Sequence, residues 1–248
     1  MTALRAEGRR ALVCYVTAGH PDPASSVVLL RGIESAGADV IELGIPFSDP
    51  IADGPVIQAA AQRALANGTT IRDVFAIARA VREKSEIPLI AFSYLNPVTR
   101  YGAERFAHDA KEAGIDSVLL TDLPPEAAKE VRDAMHAHRL GTVFLLAPTS
   151  TDARIRAIDK ASDGFVYYVS TTGVTGTRKD LDPALLDRLD EVRVQLRHPI
   201  AVGFGISEHG HYALLKGRCD AVVVGSAIVR AIGNQASPGA VVREILGT

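Results

Sequence analysis

The sequence predicts an α/β protein folded as a single-domain (β/α)₈ barrel, the TIM-barrel architecture. Three observations predict it. The chain has 248 residues, close to the roughly 250 typical of one such barrel. Eight short apolar runs alternate with helical stretches, a pattern that demands a parallel sheet covered by helices. No linker or shift in composition interrupts residues 1–248, so one domain is expected. An open doubly wound sheet is the rival topology, but eight full units in this length favour closure.

The elements follow in order. Ala11–Ala18 (ALVCYVTA) is a continuous apolar run, as a strand buried on both faces requires. A helical pattern runs from Ser25 to Ala36 and stops at Gly37; the second strand is Ala38–Leu43. Ile57–Asn67 and Thr70–Lys84 read as helices, with Thr69 and Thr70 offering an N-cap between them. Leu89–Ser93 is the third strand, leading through Tyr94-Leu95-Asn96-Pro97 to a helix over Ala103–Ala113. Ser117–Thr121 is the fourth, and Asp122-Leu-Pro-Pro125 turns the chain into a helix ending near His138. The fifth strand is Thr142–Leu146, followed by a helix from the Thr149–Thr151 cap to Ala161. Phe165–Ser170 is the sixth strand, and after a Gly- and Thr-rich loop a helix runs from Pro183 to Leu196. Ile200–Gly203, a helix over Ser207–Leu215, Ala221–Val224 and helices from Gly225-Ser226 and Pro238 complete the set.

Bulk properties exclude several functions. Hydrophobic residues make up 47% of the chain and the formal net charge is −2, with both signs interleaved. There is no basic stripe, so nucleic acid is not an expected partner. No apolar run approaches the ~18 residues of a membrane helix, and Met1–Arg10 lacks the apolar core of a signal peptide. The two cysteines, Cys14 and Cys219, make neither a disulfide framework nor a metal spacing and read as buried, inert thiols. A cytoplasmic protein is expected.

Barrel enzymes carry their chemistry at the C-terminal ends of the strands. The densest such stretch is Glu42-Leu-Gly-Ile-Pro-Phe-Ser-Asp-Pro-Ile-Ala-Asp-Gly-Pro55, where a strand tip breaks into a loop with three carboxylates, Glu42, Asp49 and Asp53. Strand side chains alternate, so Glu42 points the same way as Val40, toward the core. A carboxylate rarely sits there without a partner or a function. Carboxylates held close together in unlike environments supply both an acid and a fixed negative charge.

The alternatives are thin. An imine mechanism needs a lysine in the barrel mouth, but the lysines fall on or beside helices or, for Lys179, in an exposed-looking segment. No metal site is expected: only His20 follows a strand, and the pairs His136/His138 and His209/His211 read as surface residues facing different ways. Gly203-Phe-Gly205 lacks the third glycine of a dinucleotide fingerprint, so no cofactor is expected. Acid–base chemistry remains, with Tyr94, Asp122 and Tyr167 on other strand ends.

A phosphate site is also expected. The seventh strand ends in Gly203-Phe-Gly205-Ile-Ser207 and the eighth in Gly225-Ser226, the pair of loops with which barrels frequently hold phosphate. Glycines let the backbone approach, and free N–H groups with the helix dipole attract the anion. The long, small and polar loop Thr171–Asp180 reads as a lid that orders over substrate.

With these residues in view, the chain closely resembles the α subunit of tryptophan synthase, the indole-3-glycerol-phosphate lyase. The resemblance runs from about Arg9 to Val229, through ELGIPFSDPIADGP at Glu42–Pro55, DLP at Asp122–Pro124, GVTG at Gly173–Gly176, GFGIS at Gly203–Ser207 and GSAIV at Gly225–Val229. It implies cleavage of indole-3-glycerol phosphate to indole and glyceraldehyde 3-phosphate, the last stage of tryptophan biosynthesis, without cofactor. It implies Glu42 and Asp53 as catalytic carboxylates and Tyr167 as a tyrosine of the site. Gly176, Gly205, Gly225 and Ser226 are then the phosphate positions, and Thr175, Tyr15 and Phe204 belong to the lid and indole pocket. Docking on a pyridoxal-phosphate-dependent β subunit, in an α2β2 assembly, is implied as well. A stand-alone lyase releasing free indole for specialised metabolism is the alternative. Met1–Arg10, His20 and Thr171 depart from the family pattern, and none of them touches the two carboxylates.

Overall fold

The computed structural model describes all residues except 2–3, 5, 170–182 and 204. Its strands are β1 (Ala11–Thr17), β2 (Val40–Gly44), β3 (Leu89–Ser93), β4 (Ser117–Leu120), β5 (Gly141–Val143), β6 (Leu145–Leu146), β7 (Val166–Val169), β8 (Ile200–Gly203) and β9 (Ala221–Val224). The helices are α1 (Pro23–Ser35), α2 (Pro55–Ala66), α3 (Ile71–Arg82), α4 (Leu95–Tyr101), α5 (Ala103–Glu112), α6 (Lys129–Ala137), α7 (Asp152–Ala161), α8 (Pro183–Arg193), α9 (His209–Leu214), α10 (Ser226–Gly233) and α11 (Pro238–Leu246).

All observed strand pairs are parallel, in the order β5-β4-β3-β2-β1-β9-β8-β7-β6. The expected fifth strand is therefore split at Phe144. Its first half pairs with β4 and its second with β7, so this one interrupted strand closes the barrel. The Phe144 carbonyl still accepts the Tyr167 N–H at 3.1 Å, which carries the ladder across the break.

Alternation sorts the strand residues into two apolar layers. Val13, Val40, Ile90, Leu119, Val143 and Ala201 fill the barrel interior. Leu12, Cys14, Ile41, Leu43, Leu89 and Val118 face the helices instead. Val40 lies inside, so Glu42, two residues on, also points inward, as expected.

The N-terminal end of the barrel is tied together by aspartates. Asp39 accepts the Leu12 N–H at 2.8 Å, Asp116 that of Leu89 at 2.9 Å, Asp163 that of Thr142 at 3.0 Å and Asp220 that of Ile200 at 3.0 Å. Each carboxylate precedes one strand and holds the start of a neighbouring one. These amides would otherwise open the ladder unpaired.

Helix α4 and the 3-10 turn Pro125–Ala127 are not in the expected set. Pro97 falls within the first turn of α4, where proline is tolerated. Tyr94 provides no cap; the cap comes from the next loop, where Asp122 accepts the Leu95 N–H at 2.7 Å. His211 corrects another expectation, because it is buried beside Glu208 at 3.4 Å rather than on the surface. Cys14 and Cys219 are free and buried, as expected, and burial pushes the Cys219 thiol up to about 12.

Candidate active site

Glu42 is 0% exposed, and among the described residues neither carboxyl oxygen has a hydrogen-bond partner. Its strand delivers it into the barrel mouth, opposite Tyr15 on β1 and Ile90 on β3. An ionised carboxylate sealed this way loses its hydration with nothing in return. Burial accordingly pushes its pKa up to about 8, so the neutral acid predominates at pH 7.

Asp53 has a different environment. It sits on the loop after β2, half-buried, and the Tyr94 hydroxyl donates to its Oδ2 at 3.0 Å. Burial raises its pKa to about 6 and the Tyr94 bond opposes the rise, leaving a mainly ionised group at pH 7. The two carboxyls are thus poised in opposite protonation states. Asp49 is not brought into the site; it is exposed and accepts a hydrogen bond from Ser48.

Aromatic rings and two glycines build the walls. The Tyr15 and Phe92 rings meet edge to face at 5.1 Å between centroids. A Cβ on Gly44 would lie 2.2 Å from the Tyr15 Oη, and one on Gly203 would lie 2.8 Å from the Tyr167 Oη. Both positions therefore need glycine so that a tyrosine can cross the mouth. Tyr167 is partly exposed on β7, and burial followed by the charge of Glu42 holds its phenol well above the ordinary range.

On the far side of Tyr15 stands the candidate phosphate site. Gly203 pairs with Val223, so Gly205 and Gly225 leave the two strands at the same level. Gly205 has φ +62° with open space where a Cβ would stand, and Gly225 precedes α10 with no side chain capping the helix. The first-turn amides of such a helix have no partner within it. A Cβ on Gly225 would lie 3.4 Å from that of Tyr15, so this ring links the carboxylate side of the mouth to the glycine side.

The family model for the tryptophan synthase alpha chain matches residues 1–245. The chain belongs to that family. The tryptophan synthase alpha chain of Solibacter usitatus is 53% identical over 237 residues, spanning 96% of this chain and 89% of that protein. That of Pelobacter propionicus is 48% identical, over 92% of this chain and 85% of its own length. Among solved structures, the tryptophan synthase subunit alpha of Legionella pneumophila superposes with a TM-score of 0.91 at 37% identity, covering 98% of this chain and 94% of that one. A chain from a study of mutual activation in the Pyrococcus furiosus tryptophan synthase α2β2 complex gives 0.90 at 40%, covering 96% and 98%.

The tryptophan synthase alpha family catalyses a lyase reaction, the cleavage of indole-3-glycerol phosphate, and the function expected from the resemblance stands. The stand-alone alternative gains no support from these relatives. Among the described residues no helix is long and apolar enough to cross a membrane, and no group of three or more His, Cys, Asp or Glu is placed to hold a metal ion. The fold brings Glu42, Asp53, Tyr167, Tyr15, Gly205, Gly225 and Ser226 to one end of the barrel. Thr175, Gly176, Phe204 and the expected lid Thr171–Asp180 lie outside the described residues. Sequence reasoning placed Tyr94 on a strand end without giving it a task; its hydroxyl proves to touch Asp53, a contact between residues 41 positions apart that no local motif encodes.

Proposed function

We propose that Glu42 is the acid and then the base of this reaction, with Asp53 as its electrostatic partner. The neutral Glu42 carboxyl gives its proton to indole C3, turning the ring into an electron sink with positive charge at N1. The resulting carboxylate takes the proton of the glycerol hydroxyl. The carbon–carbon bond then breaks, its electron pair returns to the ring, and indole and glyceraldehyde 3-phosphate separate with Glu42 protonated again. Ionised Asp53 accepts the N1–H and stabilises the charge that develops there. The phosphate is held by backbone N–H groups of Gly176, Gly205, Gly225 and Ser226, while Tyr15, Phe204 and Tyr167 enclose the ring and Thr175 closes the lid over it.

The observation that carries this reading is the Glu42 carboxyl itself, sealed, without a partner and held neutral to about pH 8. A group that must begin as an acid near neutral pH needs that environment. By the same reading the chain acts as one domain in the cytoplasm and docks on a tryptophan synthase β subunit in an α2β2 assembly. Indole release from indole-3-glycerol phosphate, measured with and without that subunit, tests it. Glu42→Gln should lower turnover by about 10²–10⁴-fold with little change in substrate binding. Retention of more than about a tenth of the wild-type turnover would remove Glu42 from the mechanism.

A further inference from the structure

The loop that carries Asp53 is held by a residue of a different strand. Tyr94 follows β3 and is 3% exposed, with its ring 5.3 Å from that of Phe47. Its hydroxyl oxygen accepts the Ala52 N–H at 3.0 Å and lies 3.0 Å from the Asp53 Oδ2. An amide can only donate and an ionised carboxylate can only accept, so the direction is fixed: amide to phenol oxygen, phenol proton to carboxylate. The loop is thus pinned at Phe47, Ala52 and Asp53 by one side chain.

We propose that Tyr94 is a positioning residue for the reaction, fixing where Asp53 stands and keeping it ionised to receive the indole N1–H. The inference rests on the role given to Asp53 above. Burial and the neighbouring Asp53 charge push the Tyr94 phenol far above neutrality, so it stays a donor throughout the working range. A hydrogen bond donated to a carboxylate favours its charged form, and here it opposes the rise that burial imposes on Asp53. Without that bond, Asp53 at neutral pH would be in larger part a neutral acid, free to rotate and able to donate where it must accept. The Ala52 contact ties this control to the loop, because a displaced loop would carry the acceptor away from the phenol.

The test is kcat/KM against pH for wild type and Tyr94→Phe, which keeps the ring against Phe47 and removes only the hydroxyl. The substrate phosphate also titrates near pH 6, but equally for both proteins, so their ratio isolates Asp53. The acid limb should move up by roughly one pH unit, giving up to about a tenfold deficit near pH 5.5 that shrinks towards pH 8. In an Asp53→Asn background, Tyr94→Phe should change kcat/KM less than about twofold. An unmoved acid limb, or a loss of equal size at every pH as a purely structural role would give, overturns the inference. If Asp53→Asn itself retains wild-type turnover, the role of Asp53 fails as well. If Asp53→Asn is inactive while the Tyr94→Phe limb stays in place, only the role of Tyr94 is lost.

Discussion

At the N-terminal end of the barrel Asp39, Asp116, Asp163 and Asp220 each accept a backbone N–H from a neighbouring strand; at the C-terminal end Glu42 accepts nothing from any described residue. The same functional group is tied in at one end and left unsatisfied at the other, and Asp163 and Glu42 show what this does to the proton. Asp163 is raised by burial, but hydrogen bonds from His136 and Thr142 outweigh this and hold it below the usual carboxylate range. Asp159 behaves likewise, with His198 and Arg197 as donors. Glu42 and Asp53 are driven the other way, to about 8 and about 6.

The two ends therefore respond to pH with opposite signs. A lowered carboxylate contributes stability that is present above its unfolded pKa and lost as pH falls through the folded one, so Asp159 and Asp163 favour the fold at neutral pH. A raised carboxylate binds its proton more tightly when folded, so stability falls as pH rises between the unfolded and folded values. For Glu42 that window runs from its ordinary value of 4.5 to about 8, and for Asp53 from 3.8 to about 6. The desolvated carboxyls in the mouth cost stability where the enzyme works, and the lowered ones at the other end offset part of that cost.

Four substitutions probe the difference between the two ends. The largest effect is expected from Glu42→Gln, which should separate activity from stability. Turnover should fall as stated above, while at pH 8 the unfolding free energy should rise by a few kcal/mol over wild type, a difference that shrinks to below about 1 kcal/mol near pH 5. Denaturant melts at the two pH values check this, and an equal shift at both would mean that the side chain is not neutral in the fold.

Next is Gly44→Ala, whose Cβ would sit 2.2 Å from the Tyr15 Oη and force the ring aside. Overpacking there should cost about 1–3 kcal/mol, and displaced walls should reduce turnover at least about tenfold. Wild-type kinetics would show that the tyrosine yields without disturbing the site. Asp163→Ala, at the other end, frees the Thr142 amide and hydroxyl and the His136 ring. It should lower stability by about 1–3 kcal/mol and leave the turnover of folded protein within about twofold. Asp49→Asn should do least: with its exposed side chain bonded only to Ser48 among the observed contacts, activity within about twofold of wild type is expected at pH 7.

Much of this was legible in the sequence, because barrel strands report their facing through alternation. Val40 inside fixes Glu42 inside, and two glycine turns after the last strands mark a backbone open to an anion. What was not legible depends on contacts between distant segments. Helix α4 takes its cap from Asp122, 27 residues ahead of the amide it holds. The break at Phe144 reflects a strand that must serve β4 and β7 at once. Asp49 and Asp53 look equivalent in the loop, and burial together with the Tyr94 hydroxyl, arriving from the end of β3, separates them.

The central claim is that Glu42 is neutral at working pH because the fold buries it and gives it no partner among the described residues. Its protonation state can be read directly by carbon NMR of protein labelled at the glutamate carboxyl carbons, with Glu42→Gln identifying the resonance. The account predicts a resonance that titrates near pH 8, well apart from the solvent-exposed glutamates near about 4.3. A Glu42 carboxyl that titrates with those glutamates, and is ionised at pH 7, would contradict it.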